Sequence, residues 1–159
     1  MPEFTHLDES QRPRMVDIGE KSVTRRTARA EAIVHLTGAV MSQFDGAEIQ
    51  SKKGPVFHTA ILAGIQAAKK TSDIIPLCHP LPLSKCKVTI DKLDENRVVI
   101  QTEVATDAKT GVEMEALSAA SGAALTLYDM CKSVTKGIII ERIRLLEKRG
   151  GKSGDFNAT

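Results

Sequence analysis

A chain of 159 residues with a net charge of +2, 42% hydrophobic and 26% charged, has apolar material for one core and too little net charge to stay disordered or to imply DNA binding. Aromatic residues make up only 3%, with no Trp and a single Tyr, which argues against a base-stacking nucleic-acid surface and leaves Val, Ile, Leu and Ala to build the core. No apolar run approaches the ~20 residues of a membrane span, and an odd set of three cysteines (Cys78, Cys86, Cys131), with no charged leader opening the chain, makes a cytoplasmic setting the expectation.

The first twenty or so residues are polar and aperiodic and read as an arm. From Thr27, TARAEAIVHL places Ala28, Ala30, Ala32, Val34 and Leu36 on alternate positions, the period of a half-buried strand. TGAVMSQF predicts a short helix that the turn pair Asp45-Gly46 ends. Lys53-Gly54-Pro55 then leads into VFHTAILAGIQAAKKTSD, where Phe57, Ala60, Ile61, Gly64, Ile65 and Ala68 recur at helical spacing, with Pro55 suited to the first turn. No helix runs through IPLCHPLPL (75–83), because each proline removes a donor and restricts the residue before it.

KCKVTIDKLDENRVVIQTEVATD gives two alternating runs about Asp94-Glu95-Asn96, a β-hairpin. A long helix is predicted from Gly111 to a stop at Gly137, with Met114, Leu117, Ser121, Ala124, Tyr128 and Cys131 on one stripe and a small-residue waist, Ala119 to Ala124, where another backbone can come close. IIIERIRLL (138–146) is β-branched enough for a last strand, and KRGGKSGDFNAT reads as a flexible tail. The order β-α-(α)-β-β-α-β is the ferredoxin-like α+β arrangement, an antiparallel sheet with its helices on one face. With no repeat and no long linker, the expectation is a single domain over 1–159 with flexible arms at about 1–20 and 149–159.

Among candidate sites, a zinc centre lacks paired ligands: Cys78 and His79 are adjacent, Cys86 is isolated and His58 lies far upstream. The Gly-Lys-Ser of the tail fails as a nucleoside-triphosphate loop, since Leu146 stands where a glycine is needed, although Lys152 can still close over a phosphate. Asp129 and Lys132 are neighbours on one helical face, with Lys136 a turn further. They read either as a surface ion pair or as a proton-transfer pair in which the carboxylate is the base and a partly desolvated, less basic lysine the acid. Glu113 and Glu115 near the helix start suit its dipole and can also accept hydrogen bonds from a purine-like base. Lys53 is a solvated loop lysine or a rigidly placed cation, and spacing does not decide which.

Taken together, KKGPVFHTAILAGIQAAKKTSDIIPLCHPLPLSK, KTGVEMEALSAASGAALTLYDMCK and IRLLEKRGGKSGDF closely resemble the cyclic pyranopterin monophosphate synthase family of molybdenum cofactor biosynthesis, its accessory protein C, in register from MVDI (15–18) to GDF (154–156). The resemblance implies a ferredoxin-like subunit assembled as a homo-hexamer, a trimer of dimers, with active sites at subunit interfaces. It implies a small-molecule substrate, the cyclised dihydro-GTP 3′,8-cyclo-7,8-dihydro-GTP, rearranged to cyclic pyranopterin monophosphate with loss of pyrophosphate, and neither metal nor organic cofactor. Carried over by motif, Asp129, Lys132 and Lys53 look catalytic. Leu77, Cys78 and His79 resemble the substrate loop, Glu113, Met114 and Glu115 the contacts to the base, and Lys148 and Lys152 the phosphate side, with Arg26 and Asp17 as further contributors. His58 departs from the pattern, which leads us to expect a small residue there. The rival readings are a non-catalytic purine-nucleotide module and a metal-dependent hydrolase using Cys78, His79 and His58.

Overall fold

The structure, a computed structural model, describes residues 2–159. Its main sheet is built from β1 (Thr24–His35), β4 (Lys85–Lys92), β5 (Arg97–Ala108), β6 (Ile139–Arg149) and β7 (Phe156–Asn157), in the order β4-β5-β1-β6-β7 with every pairing antiparallel. Helices α1 (Thr37–Met41), α2 (Val56–Lys69), α3 (Thr71–Ile74) and α4 (Glu113–Cys131) complete the fold, and β2 (Gln50–Ser51) pairs with β3 (Gly54–Pro55) in a separate two-residue hairpin. The four long strands and two long helices follow the ferredoxin-like α+β order that the sequence pattern predicts.

The core explains why an alanine-rich segment is the central strand. Ala28, Ala30, Ala32 and Val34 all face inward and are buried. They lie across from Val104, Thr102, Ile100 and Val98 of β5, which are buried too. Small side chains on β1 let α4 settle close to the sheet, where the Thr102 hydroxyl donates to the carbonyl of Ala116 at 2.9 Å. Helix α4 in turn packs on α2 through its waist. A Cβ at Gly64 would sit 2.9 Å from the carbonyl of Ala119, and one at Gly122 would sit 2.6 Å from the Cβ of Ala67. The close neighbour foreseen for the waist is therefore α2 of the same chain.

The structure corrects several boundaries and one helical face. The buried side of α4 carries Ala116, Ala119, Ala120, Ala123, Ala124, Leu127 and Met130, whereas Tyr128 is exposed and Met114, Leu117 and Ser121 lie only half-buried at its flank. Sheet and α2 cover the helix from two sides, so close approach selects alanine from Ala116 to Ala124, with Leu127 and Met130 only toward its end and Met114 and Leu117 at the margin. The helix begins at Glu113 and ends at Cys131, six residues before Gly137, and Pro55 precedes α2 instead of opening its first turn. Residues 149–159 are not merely a tail. Gly150 and Gly151, both at positive φ, reverse the chain so that Phe156 and Asn157 pair with Lys148 and Glu147. Near the start, a bridge between Leu7 and Pro13 gives the arm local structure.

Replacing Gly122 by Val should therefore lower unfolding stability by about 1–3 kcal/mol, because the added methyls meet α2 where neither backbone has room. Denaturant titration checks this; unchanged stability would mean that the two helices separate freely.

Candidate active site

The hairpin of β2 and β3 carries Lys53 in its turn. Lys52 and Lys53 form its turn, Gly54 takes a φ of +114°, and the Ser51 hydroxyl both donates to the Gly54 carbonyl at 2.9 Å and accepts from the Lys53 N–H at 3.1 Å. The turn is thus pinned, and the Lys53 side chain that leaves it is more than half exposed. Its Nζ lies 3.0 Å from Asp129 Oδ2, while Lys132 Nζ lies 2.9 Å from Oδ1 of the same carboxylate. One acid is held between two ammonium groups, one from the β2–β3 hairpin and one from the end of its own helix. They border a cavity of about 870 Å³ whose apolar wall includes Val40, Ile49, Val56 and Met130.

Electrostatics departs from the expectation at one point. Hydrogen bonds from Lys132 and Lys53 hold the Asp129 carboxyl below its usual range. Lys132 shifts the other way: the Asp129 partner makes it more basic, because the lysine is half exposed and loses too little solvation to offset the ion pair. The desolvated, less basic lysine anticipated from the helix face is not found; the pair is exposed and each partner favours the charged form of the other.

Sequence reasoning missed the group that fixes this hairpin against α2. The buried carboxylate of Glu48 accepts backbone N–H bonds from Ile49 (2.7 Å), Phe57 (2.7 Å) and His58 (3.0 Å), capping the helix from outside it. Burial alone would raise its pKa, but these three donors outweigh it and hold the carboxyl low. An acid eight residues before a helix has no capping signature, so the sequence offered no signal. His58 is largely exposed, its ring 3.6 Å from Glu48.

The opposite end of α4 carries a second group. Leu77, Cys78 and His79 face Glu113, Met114 and Glu115 across a cavity of about 240 Å³, covered in part by Thr5, His6, Val16 and Ile18 of the N-terminal arm. His79 Nε2 lies 2.6 Å from the Val16 carbonyl, which can only accept, so Nε2 carries a proton. Lys148 Nζ is 3.2 Å from Glu113 Oε1, which puts this lysine beside a carboxylate at the start of α4. Burial pushes Glu115 up to about 7, with the nearby Glu113 adding to it, and burial together with Glu115 and Glu113 raises the Cys78 thiol. A thiol so placed stays protonated, which suits a wall residue better than a nucleophile.

Beyond Lys21, which also borders that cavity, a third hollow of about 320 Å³ is lined by Thr24, Arg26, Gly151 and Lys152. Arg26 is buried, its Nε donating to the Ala108 carbonyl at 3.0 Å, and Gly151 passes so close to the guanidinium that any side chain there would collide with it. Asp17 is exposed and accepts from the Gly19 N–H at 2.8 Å. Among the described residues no three His, Cys, Asp or Glu side chains gather as a metal ion would require, and no helix is long and apolar enough to cross a membrane.

The residues singled out thus fall into two sets. Lys53, Asp129 and Lys132 sit at the C-terminal end of α4. The Leu77–His79 loop, Glu113 to Glu115 and Lys148 sit at its N-terminal end, with the Arg26–Lys152 hollow adjoining. From Glu115 to Asp129 the helix rises roughly 21 Å, at about 1.5 Å per residue.

The buried Glu115 predicts a pH dependence of stability. Between its unfolded value of 4.5 and its folded value of about 7 the native chain holds the extra proton, so stability falls as pH rises through that window and levels off above it. The loss approaches about 3 kcal/mol. Glu48, held low, acts with the opposite sign below the window. Denaturant titrations at pH 5 and pH 8 should show this fall in the native chain and its absence in Glu115→Gln; equal slopes would place the effect on another group.

A family model described as the MoaC family matches residues 15–151, a span that takes in both ends of α4, the proline-bound loop and the hairpin of Lys53. The chain belongs to the MoaC family, enzymes of molybdenum cofactor biosynthesis.

Proposed function

We propose that the chain, as a single-domain subunit, converts 3′,8-cyclo-7,8-dihydro-GTP to cyclic pyranopterin monophosphate with release of pyrophosphate, acting as a phosphorus–oxygen lyase in the cytoplasm. The observation that carries this reading is the meeting of Lys53, Asp129 and Lys132 at one carboxylate beside a cavity of about 870 Å³. Opening one ring and building another requires protons to be placed on and taken from nitrogen and oxygen atoms in turn. An ionised acid with an ammonium on each oxygen does this by exchange: Asp129 accepts a proton from the reacting ring, and either lysine returns one. No metal or organic cofactor is invoked.

Expulsion of pyrophosphate needs positive charge on the leaving group. Arg26 and Lys152 gather around one hollow and furnish that charge, and Lys148, ion-paired with Glu113, is the further cation proposed there. The loop Leu77 to His79, with Glu113, Met114 and Glu115, holds the ring, and Asp17 on the arm contributes at the margin. One compact nucleotide does not reach both ends of α4, so the active site is completed by a second copy: the proton-transfer trio of one subunit faces the binding residues of its partner. A homo-hexamer built as a trimer of dimers supplies such facing pairs.

Lys53→Ala and Asp129→Ala should each cut pyranopterin formation by roughly a hundredfold or more while the far-ultraviolet spectrum and the assembly mass stay unchanged. Wild-type turnover by both variants would leave a non-catalytic nucleotide-binding module as the better reading. Co-assembling Asp129→Ala chains with Glu113→Ala chains should restore roughly a quarter of the activity, since a mixed dimer keeps one intact site. No recovery would sink the shared site without touching the reaction.

A further inference from the structure

Two carboxylates open α4, and their surroundings differ. Glu113 faces the Lys148 ammonium at 3.2 Å. Glu115 is only 4% exposed, and the one hydrogen-bond donor that reaches it is its own backbone N–H. The ionisable groups around the cavity are Glu113 from the same helix, Cys78 and His79 from the proline-bound loop, and His6 and Lys21 from the N-terminal segment. Among the described residues none of the cations forms an ion pair with Glu115. A buried carboxylate without a cation is costly, whereas the neutral acid is tolerated and brings an O–H donor that the anion lacks.

The edge of a 2-amino-6-oxo ring mixes its groups: an oxo oxygen that accepts, beside ring and amino N–H groups that donate. Two ionised carboxylates would satisfy the N–H groups and turn a lone pair on the oxo oxygen. A carboxylate and a carboxylic acid match the whole edge. A 6-amino ring presents a donor where the oxo oxygen stood and loses that match.

We propose that Glu115 works as a neutral carboxylic acid whose O–H donates to the 6-oxo oxygen of the bound ring, while Glu113, paired with Lys148, accepts from its N–H groups, so that this cavity selects a 2-amino-6-oxo edge over a 6-amino one. The inference rests on the reading that the ring of the cyclised nucleotide binds here. It adds a specificity-determining proton, with a pH dependence opposite in sense to that of an ionised contact: recognition weakens as Glu115 loses its proton.

GTP carries the same ring edge and serves as the probe. Its dissociation constant is measured by calorimetry on the full assembly, wild type and Glu115→Gln, from about pH 6 to about pH 8.5, with ATP in parallel. Wild-type affinity for GTP relative to ATP should fall roughly tenfold between pH 7 and pH 8.5; the phosphates titrate alike in both nucleotides and cancel in the ratio. Glu115→Gln keeps an N–H donor with no proton to lose, and its ratio should stay level. A wild-type ratio that ignores pH overturns the proposal, as does a Glu115→Gln ratio that follows the wild-type slope. A wild-type assembly that turns over the cyclised nucleotide yet binds GTP at no pH also overturns it and leaves the proposed reaction standing; failure to turn over the cyclised nucleotide at all overturns the reaction itself.

Discussion

The close contact of α4 with both α2 and the central strand sets everything else in this molecule. Gly64, Ala119, Gly122 and Ala123 bring two helix backbones together, and Ala28, Ala30 and Ala32 let the same helix lie low on β1. Each such residue buries little area, so the layer holds through density of contact: many weak dispersion pairs that are lost together if the backbones part. The result is a rod fixed along its length. The positions of the side chains that α4 itself carries at its two ends are consequences of that packing.

The two ends use this rigidity in opposite electrical ways. At the C-terminal end, Asp129 and both its lysines are more than half exposed. Ion pairs in such a setting contribute little to stability, so the fold has little to gain from drawing Lys53 out of a hairpin to join a pair that Lys132 already completes. The surplus cation is tolerated because a helix C-terminus favours positive charge. At the N-terminal end the helix dipole favours carboxylates, yet Glu115 is buried deeply enough to be pushed toward protonation all the same. In both places the arrangement adds little to stability or works against it, which supports the proposal that these residues serve the reaction.

Sequence patterns revealed what depends on local periodicity and hid what depends on approach. The alternation of β1, the hairpin of β4 and β5 and the helical character of α2 follow from side-chain period, although α2 stops at Lys69 and the separate α3 takes up the last residues read into it, and the sheet order follows from element order. The buried face of α4 did not, because a helix covered from two sides hides its smallest residues, while the pattern search followed the larger ones at the margin. The strand at Phe156 was obscured by glycines that read as flexibility but serve a reversal at positive φ. At the site, spacing could pair Asp129 only with Lys132. Lys53 came from family resemblance, 76 residues away in the chain, and Glu48 from neither.

The proline-bound segment IPLCHPLPL shows how far a local motif is reshaped by what folds against it. Its cysteine and histidine suggest a ligand pair or a nucleophile with its base when read alone. In the fold they take separate duties: burial and two neighbouring carboxylates keep the Cys78 thiol protonated, and the His79 ring is engaged by the carbonyl of Val16. That single ring contact ties an N-terminal segment 63 residues away to the wall of the cavity at the start of α4. Stiffness is what the prolines contribute, since a loop that must hold both a cavity wall and a distant strap in register gains from having few other conformations to lose. The same stiffness keeps the loop's backbone facing Glu113 and Glu115, so the shape of the cavity is set before any ring enters it.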